Sequence, residues 1–507
     1  MLSRVYSAAV VGVNAHPVEV EVDVSFGKEI FALVGLPDTA VKESNERVRS
    51  ALRNSGYQLP SGRITVNLAP ADLKKEGPLF DLPMALGMLH ASSQIPLPIW
   101  ERVLIVGELA LTGAIRRVNG VLPIALAARE KGFTHLIVPA ENGGEASVVQ
   151  GLEVHAASNL RQVAEILTGQ RHADPLPWKD LDETVPAHLP DFSEVKGQES
   201  VKRALEIAAA GSHNVLMIGP PGSGKSMLAK RLPSILPPLT LEEALEATRI
   251  HSVVGMVSAG EGLIRSRPFR SPHHTISDVG LVGGSTQPTP GEVSLAHHGV
   301  LFLDELPEFK RSALEVLRQP LEDGHVTISR AAGTFTFPAK FMLVAAMNPT
   351  PTGQFADVQT GRVTAAQAQR YLAKISGPLL DRIDLHIEVP ALKTEALMEA
   401  GQSEASSVIR ERVIAARQRQ LHRLKGKKLF SNSQMGTREI RQFIHLDEDS
   451  KNLLAFAMKD KNLSARAYDR ILKVARTIAD LAGMEDIVAD HVAEAVQFRS
   501  LDRQIWG

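Results

Sequence analysis

Residues 215–232 constrain the fold more than any other stretch. They read as an apolar run, Val215-Leu216-Met217-Ile218, then Gly219-Pro220-Pro221-Gly222-Ser223-Gly224-Lys225-Ser226, then the helix-forming Met227-Leu228-Ala229-Lys230-Arg231-Leu232. A buried strand passing through a glycine-rich turn into a helix is the setting of a P-loop. Glycines let backbone N–H groups turn towards phosphate oxygens, and the helix N-terminus adds positive potential. Gly219 to Ser226 are expected to bind a nucleotide, with Lys225 reaching the β- and γ-phosphates and the Ser226 hydroxyl holding Mg2+.

A second apolar run, Val300-Leu301-Phe302-Leu303, ends in Asp304-Glu305. Asp304 is expected to hold Mg2+ through water, and Glu305 to polarise the attacking water. A third run, Phe341 to Met347, ends in Asn348, which is placed to orient that water. Three strands that each end in a polar residue suit an open α/β sheet with its ligand at the carboxyl edge. The pattern specifies an ATPase that uses ATP and Mg2+.

The 507 residues leave room for about three domains. With no cysteine, disulfides and thiolate metal sites are excluded. The net charge of -1 advertises no bulk affinity for nucleic acid, so any DNA contact must come from a local basic surface. No apolar run approaches the ~20 residues that span a bilayer, and a cytoplasmic protein without membrane contact is expected.

Residues 1–168 alternate strands and helices and are expected to form one α+β domain. Val18-Glu19-Val20-Glu21-Val22-Asp23-Val24 has the period of a half-buried strand, whereas Ile30-Phe31-Ala32-Leu33-Val34 reads as a more buried one. Lys75-Glu76-Gly77-Pro78-Leu79-Phe80-Asp81-Leu82-Pro83, with Gly107-Glu108-Leu109 through Asn119-Gly120, resembles the proteolytic domain of Lon proteases. That resemblance puts Leu79 and Leu122 at the serine and lysine positions, so it implies the fold without the dyad. Lys74 and Lys75 are expected to be solvated or at an interface. Residues 169–190, rich in proline, read as a linker, with Trp178 docked on a neighbouring surface.

Residues 191–390 resemble the AAA+ ATPases, in the branch of the magnesium chelatase ATPase subunit and the MCM helicases. The resemblance is carried by Arg267-Pro268-Phe269-Arg270-Ser271-Pro272-His273-His274-Thr275 and Pro290 to Gly299, and by two alternating runs around Ala331-Ala332-Gly333 that read as a hairpin. In that branch the hairpin and the insert before it project towards the channel of a ring. The pairs His273-His274 and His297-His298 lack a carboxylate spaced to complete a metal site and are read as structural.

Taken whole, the order of motifs resembles the ComM, or YifB, family of magnesium chelatase-like proteins. The resemblance implies a hexameric ring on single-stranded or branched DNA, a helicase that drives branch migration in natural transformation beside recombination proteins. It implies that Arg382 is an arginine finger acting on a neighbouring subunit, with Arg370 as a weaker candidate. The other reading of Arg382 is a local ion cluster with Asp381 and Asp384. Arg466 matches the sensor-2 arginine of a helical lid, residues 391–507. Arg330 and Lys340 beside the hairpin, and Arg265, Arg267 and Arg270 in the insert, are candidate phosphate contacts. Relatives often carry cysteines just after the equivalent of Asn348, and Pro349 to Asp357 has none. A protein-remodelling AAA+ ring of magnesium chelatase type is the alternative.

Overall fold

The computed structural model describes residues 1–96, 98–178, 189–284, 288–330, 333–353, 363–391, 403–461 and 463–499. The chain divides into two compact units, Met1–Asp182 with Leu241–Ile264, and Glu183–Thr240 with Arg265–Gly507. Residues 241–264, read from the sequence as part of the ATPase core, therefore belong to the first unit. Strands are numbered in chain order.

The first unit is built on seven strands: β1 (Leu2–Val11), β2 (Asn14–Ser25), β3 (Ile30–Val34), β4 (Arg63–Ala69), β5 (Val103–Ile105), β8 (His135–Pro139) and β9 (Glu153–Ala157). A two-stranded hairpin, β6 (Glu108–Leu109) with β7 (Ile115–Arg116), stands apart from them. The sheet order is β3-β4-β2-β1-β5-β8-β9. β1 and β2 pair antiparallel from Leu2↔Asp23 to Val11↔Asn14. Val18, Val20 and Val22 point into the core, as their alternation requires. β3 departs from expectation. It is an edge strand, paired among the described residues with β4 alone, and Ile30 and Val34 are 49% and 48% exposed. A short apolar run carries no signal of whether a second neighbour lies beyond it.

The helix Asp81–Ala91 is buried along its whole length. Its first residue, Asp81, accepts from Arg47 Nε at 2.7 Å and from the Leu109 N–H at 3.3 Å, which satisfies a carboxylate with no access to water. Leu79 and Leu122 are both in the apolar core. Lys75 is also buried, against expectation. Its ammonium donates to the Pro70 carbonyl while its backbone bonds Leu36 and Asp38, and burial lowers its pKa. Lys74 is the exposed one, 2.6 Å from Glu76.

The helix Leu241–Val253 is integrated into this unit. Its Ala244, Ala247 and Ile250 are buried, Gly120 N–H donates to the Ser252 carbonyl at 3.0 Å, and Arg249 Nε donates to the Val13 carbonyl at 2.5 Å. The start of the linker docks here too. Leu176 N–H donates to the Val154 carbonyl at 2.8 Å, and Trp178 Nε1 to the Val148 carbonyl at 3.3 Å. Residues 179–188 of the expected linker lie outside the described residues.

The second unit holds a five-stranded parallel sheet: β10 (Val215–Ile218), β11 (Phe269–Arg270), β12 (Val300–Leu303), β15 (Met342–Met347) and β16 (Leu385–Glu388). Its order is β11-β12-β15-β10-β16. β10, β12 and β15 are buried at every residue, which is why they read as unbroken apolar runs. Between β12 and β15 the hairpin β13 (His325–Arg330) with β14 (Gly333–Pro338) closes at Arg330↔Gly333, as the two alternating runs predict. Its turn, Ala331-Ala332, lies outside the described residues.

Among the described residues five α-helices follow: Ser406–Arg423, Thr437–Phe443, Glu448–Asp460, Ala465–Leu481 and Ala489–Gln497. Ser406–Arg423 and Ala465–Leu481 pack on the helix Glu199–Gly211, with Ile409, Val413, Ile471, Val474 and Ile478 in the shared core. Arg417 and Gln420 donate to the Ala210 carbonyl, each at 3.0 Å, and so satisfy the end of that helix. Asp480, fully buried, accepts from Arg423, Arg476 and Asn432. The expected lid begins at 391, but residues 392–402 lie outside the described residues.

Candidate active site

The sheet order places β10 between β15 and β16, with β12 on the far side of β15. Ile218 is in register with Met347, and Leu303 with Ala345, so the P-loop, Asp304-Glu305 and Asn348 emerge at one edge. This is the crevice where open parallel sheets bind ligands.

The loop is shaped by its glycines. Gly222 and Gly224 have φ of +77° and +91°, a region that side chains rarely enter. At Gly219 a Cβ would stand 2.1 Å from the Val389 carbonyl oxygen. Gly224 leads straight into the helix Lys225–Arg231, whose first N–H groups face the loop. Gln198 donates from Nε2 to the Ser223 carbonyl at 2.8 Å and ties the loop to the segment before it.

Lys225 Nζ donates to the carbonyls of Gly219 at 2.7 Å and Pro220 at 2.9 Å, and to Asn348 Oδ1 at 3.2 Å. Burial lowers the Lys225 pKa, and Asp304 opposes that shift. Ser226 Oγ donates to Asp304 Oδ2 at 2.5 Å. These are two hard oxygen donors side by side, the kind of set Mg2+ takes together with water and phosphate oxygens. Donor type and loop shape thus fit a nucleotide with Mg2+.

Glu305 follows with φ of +52°, a sharp turn that carries its carboxylate away from Asp304 and leaves it mostly exposed. His274 Nδ1 stands 3.6 Å from Glu305 Oε2. The sequence offered His274 only as half of a pair, and the contact depends on folding of the insert. Tyr371 is another residue the sequence left unmarked. Burial, with Glu308 and Glu305 nearby, pushes its hydroxyl up to about 12, and the Asn348 backbone lies beside it.

After Asn348 the chain turns back on the P-loop. A Cβ on Gly353 would meet Pro221 Cδ at 2.6 Å, and Gly353 N–H donates to Thr350 Oγ1 at 3.0 Å. Backbone proximity and threonine hydroxyls hold the described part of this segment. Residues 354–362 lie outside the described residues.

Arg382 is buried and its guanidinium donates to the Pro378 carbonyl at 2.7 Å and to Glu322. The alternative reading, a local cluster with Asp381 and Asp384, is not what the described residues form around it. Asp384 instead accepts from the Asn214 N–H at 2.9 Å and pairs with Arg470 and His213. Burial works against the Asp384 charge, but Arg470, His213 and Lys473 overcome it and hold the carboxyl well below the usual range. Arg466 is 60% exposed, with Nη1 4.0 Å from Asp381. Burial, then Arg466, Arg318 and Arg470, lower the Arg382 pKa, so four guanidiniums share one neighbourhood. A cavity of about 640 Å³ opens beside it, lined by Asp278, Val282, Arg318, Glu322, Arg330 and Arg382.

Two candidate phosphate contacts are engaged within the chain. Arg267 donates to the carbonyls of Pro237, His298 and Pro238 at 2.8, 2.7 and 3.1 Å. Arg270 makes a two-pronged pair with Glu292 at 2.7 and 2.8 Å, which raises its pKa. Both guanidiniums are occupied in holding the insert together, a role that spacing cannot separate from phosphate binding. Arg330 is exposed at the hairpin end. Lys340 is half-buried, and its backbone bonds His297 at 2.9 Å and His298 at 2.6 Å. Both members of the pair 297–298 thus bond the Lys340 backbone.

No described helix is long and apolar enough to cross a membrane. Residues 20–142 match the family described as subunit ChlI of Mg-chelatase. Residues 191–397 match magnesium chelatase, subunit ChlI, and residues 403–499 match the C-terminal part of that subunit. The chain is 46% identical over 503 residues to the uncharacterized protein YifB of Salmonella typhimurium, covering 99% of this chain and 98% of that one. It is 47% identical over 507 residues to the competence protein ComM of Haemophilus influenzae, again covering 99% and 98%. Lon protease 2 of Bacillus subtilis is 30% identical over 125 residues, 24% of this chain and 22% of that one. The chain belongs to the ComM/YifB family of magnesium chelatase-like AAA+ proteins.

Proposed function

We propose that this protein is an ATP-driven DNA motor, a hexameric branch migration helicase of the cytoplasm that serves natural transformation and homologous recombination. The observation that carries the ATPase half is the meeting of Lys225, Ser226, Asp304 and Asn348 at one sheet edge. The DNA half rests on the full-length likeness to a competence protein.

Lys225 and the loop N–H groups hold the phosphates, and Ser226 with Asp304 holds Mg2+, which neutralises charge on the transferring group. Glu305 polarises the attacking water and Asn348 orients it. Arg382 meets the nucleotide of the neighbouring subunit, with Arg466 as the sensor that reports its state. The cluster of four guanidiniums beside an open cavity supports that reading, because such a group favours a polyanion. Arg330 on the hairpin tip contacts the DNA backbone, with little sequence preference. Lys340, half-buried, is the weaker contact.

The family match to the magnesium chelatase subunit favours a second reading, in which the ring remodels a partner protein. One experiment separates the two: ATP-driven strand movement on a branched DNA substrate, wild type against Glu305→Gln. Movement that the variant loses supports the motor. Robust ATPase without movement, insensitive to DNA, transfers the assignment to protein remodelling.

A further inference from the structure

The margin of the first unit's sheet carries a side-chain cluster that nucleotide chemistry does not use. In the parallel pair β8–β9, His135 lies opposite Glu153 and Ile137 opposite His155. Strand alternation puts His135, Glu153 and His155 on one face. Their polar atoms converge. His155 Nε2 is 3.4 Å from His135 Nδ1, and Glu153 Oε2 is 3.5 Å from that same nitrogen. All three ligand atoms lie within 4.8 Å of one another. Metal–nitrogen bonds of ~2.0–2.1 Å in a tetrahedron put neighbouring ligand atoms about 3.3–3.4 Å apart, so two of the three edges are already formed.

The rings are held in place before any ion arrives. Trp100 stacks on both, with centroids 4.2 Å from His135 and 4.5 Å from His155 and interplanar angles of 19° and 22°. A simple histidine–histidine hydrogen bond accounts for less. His155 is 2% exposed, and its Nδ1 has no hydrogen-bond partner of ordinary geometry among the described residues. With the proton on Nε2, aimed at His135, that Nδ1 becomes a buried lone pair without a donor. A cation at Nε2 puts the proton on Nδ1 instead.

We infer that His135, His155 and Glu153 bind a zinc-class divalent cation, with water as the fourth ligand. Two imidazoles and one carboxylate suit Zn2+ and exclude Mg2+ as the preferred occupant. The ion clamps β9, the last strand of the sheet, to β8. Val154, between two of the ligands in sequence, also receives the start of the linker through Leu176, so the ion stiffens the point where the chain leaves the first unit.

The test uses the full chain, stripped of metal and free of nucleotide. It is titrated with Co2+, read by the visible bands of a four-coordinate ion, and with Zn2+ against a chromophoric chelator. One ion per chain is expected. Glu153→Gln, at a mostly exposed position, should weaken binding at least ~10-fold. His135→Asn combined with Glu153→Gln should abolish it, with circular dichroism and ATPase rate confirming that the double variant is folded. Asp304→Asn should leave binding unchanged. Absence of stoichiometric binding in the wild type, binding that survives the double variant, or loss in Asp304→Asn overturns the site.

Discussion

Lys225 opens the helix after β10 and Asn348 follows β15, and the lysine ammonium donates to the asparagine Oδ1 at 3.2 Å. The cation proposed to bind phosphate and the amide proposed to orient water therefore share one hydrogen bond. Asn348→Ala should keep nucleotide binding within a few-fold while kcat falls by about 100-fold, since a positioned polar group acts mainly in the transition state. Equilibrium binding of a non-hydrolysable analogue beside steady-state ATPase checks this. A loss confined to binding would place Asn348 in the loop's structure instead.

Glu322 holds Arg382 within its own chain. If Arg382 serves a neighbour, Arg382→Ala should lower ATPase by roughly 10³-fold without weakening nucleotide binding. Glu322→Gln should leave ATPase within a few-fold, or raise it by freeing the guanidinium. Mixing Arg382→Ala with excess Lys225→Ala subunits tests the direction of the contact. Action across the interface restores some activity wherever an intact Lys225 meets an intact Arg382, and activity that stays at zero in every mixture argues against it.

Asp384 is a buried carboxylate whose pKa is held below its unfolded value of ~3.9. The sign follows: its contribution is complete above about pH 4–5 and is lost progressively as pH falls from there. Asp384→Asn leaves Arg470 without its charge partner and should cost about 3–5 kcal/mol at pH 7. Thermal unfolding of wild type and variant should show a constant gap from about pH 5 to 8 that narrows below about pH 4. A gap that widens on acidification would mean that Asp384 is not the group responsible.

Arg330 stands exposed at the closing pair of the hairpin. Arg330→Ala should lower DNA-stimulated ATPase and strand movement several-fold and leave the basal rate alone. It should also reduce the slope of log affinity against log salt by roughly one ion's worth. Equal loss of basal and stimulated rates would take Arg330 out of DNA contact.

The nucleotide site was legible because its residues are local in sequence: one loop and two strand ends, each announced by an apolar run. The paths that bring them together are long-range, yet parallel-sheet rules supply them. What stayed hidden depended on partners remote in sequence. Arg267 looks like a phosphate ligand until Pro237 and Pro238 are seen to take its donors. Lys75 looks solvated until the Pro70 carbonyl appears beside it. The contact between His274 and Glu305 needs the insert to fold back over the strand that precedes it. The His135–Glu153–His155 cluster has no spacing motif at all, because its geometry comes from register between two strands.

The chain enters the first unit twice, once at its beginning and again at residues 241–264. The first unit is thus not a bead on a single thread. A protease that cuts between residues 179 and 190 yields two pieces that still travel together under native conditions, because the later piece keeps its helix Leu241–Val253 seated in the earlier one. Deleting the first 190 residues does something different: it strips the cover from Ala244, Ala247 and Ile250 and hands the shortened protein an apolar stripe with nothing to bury it.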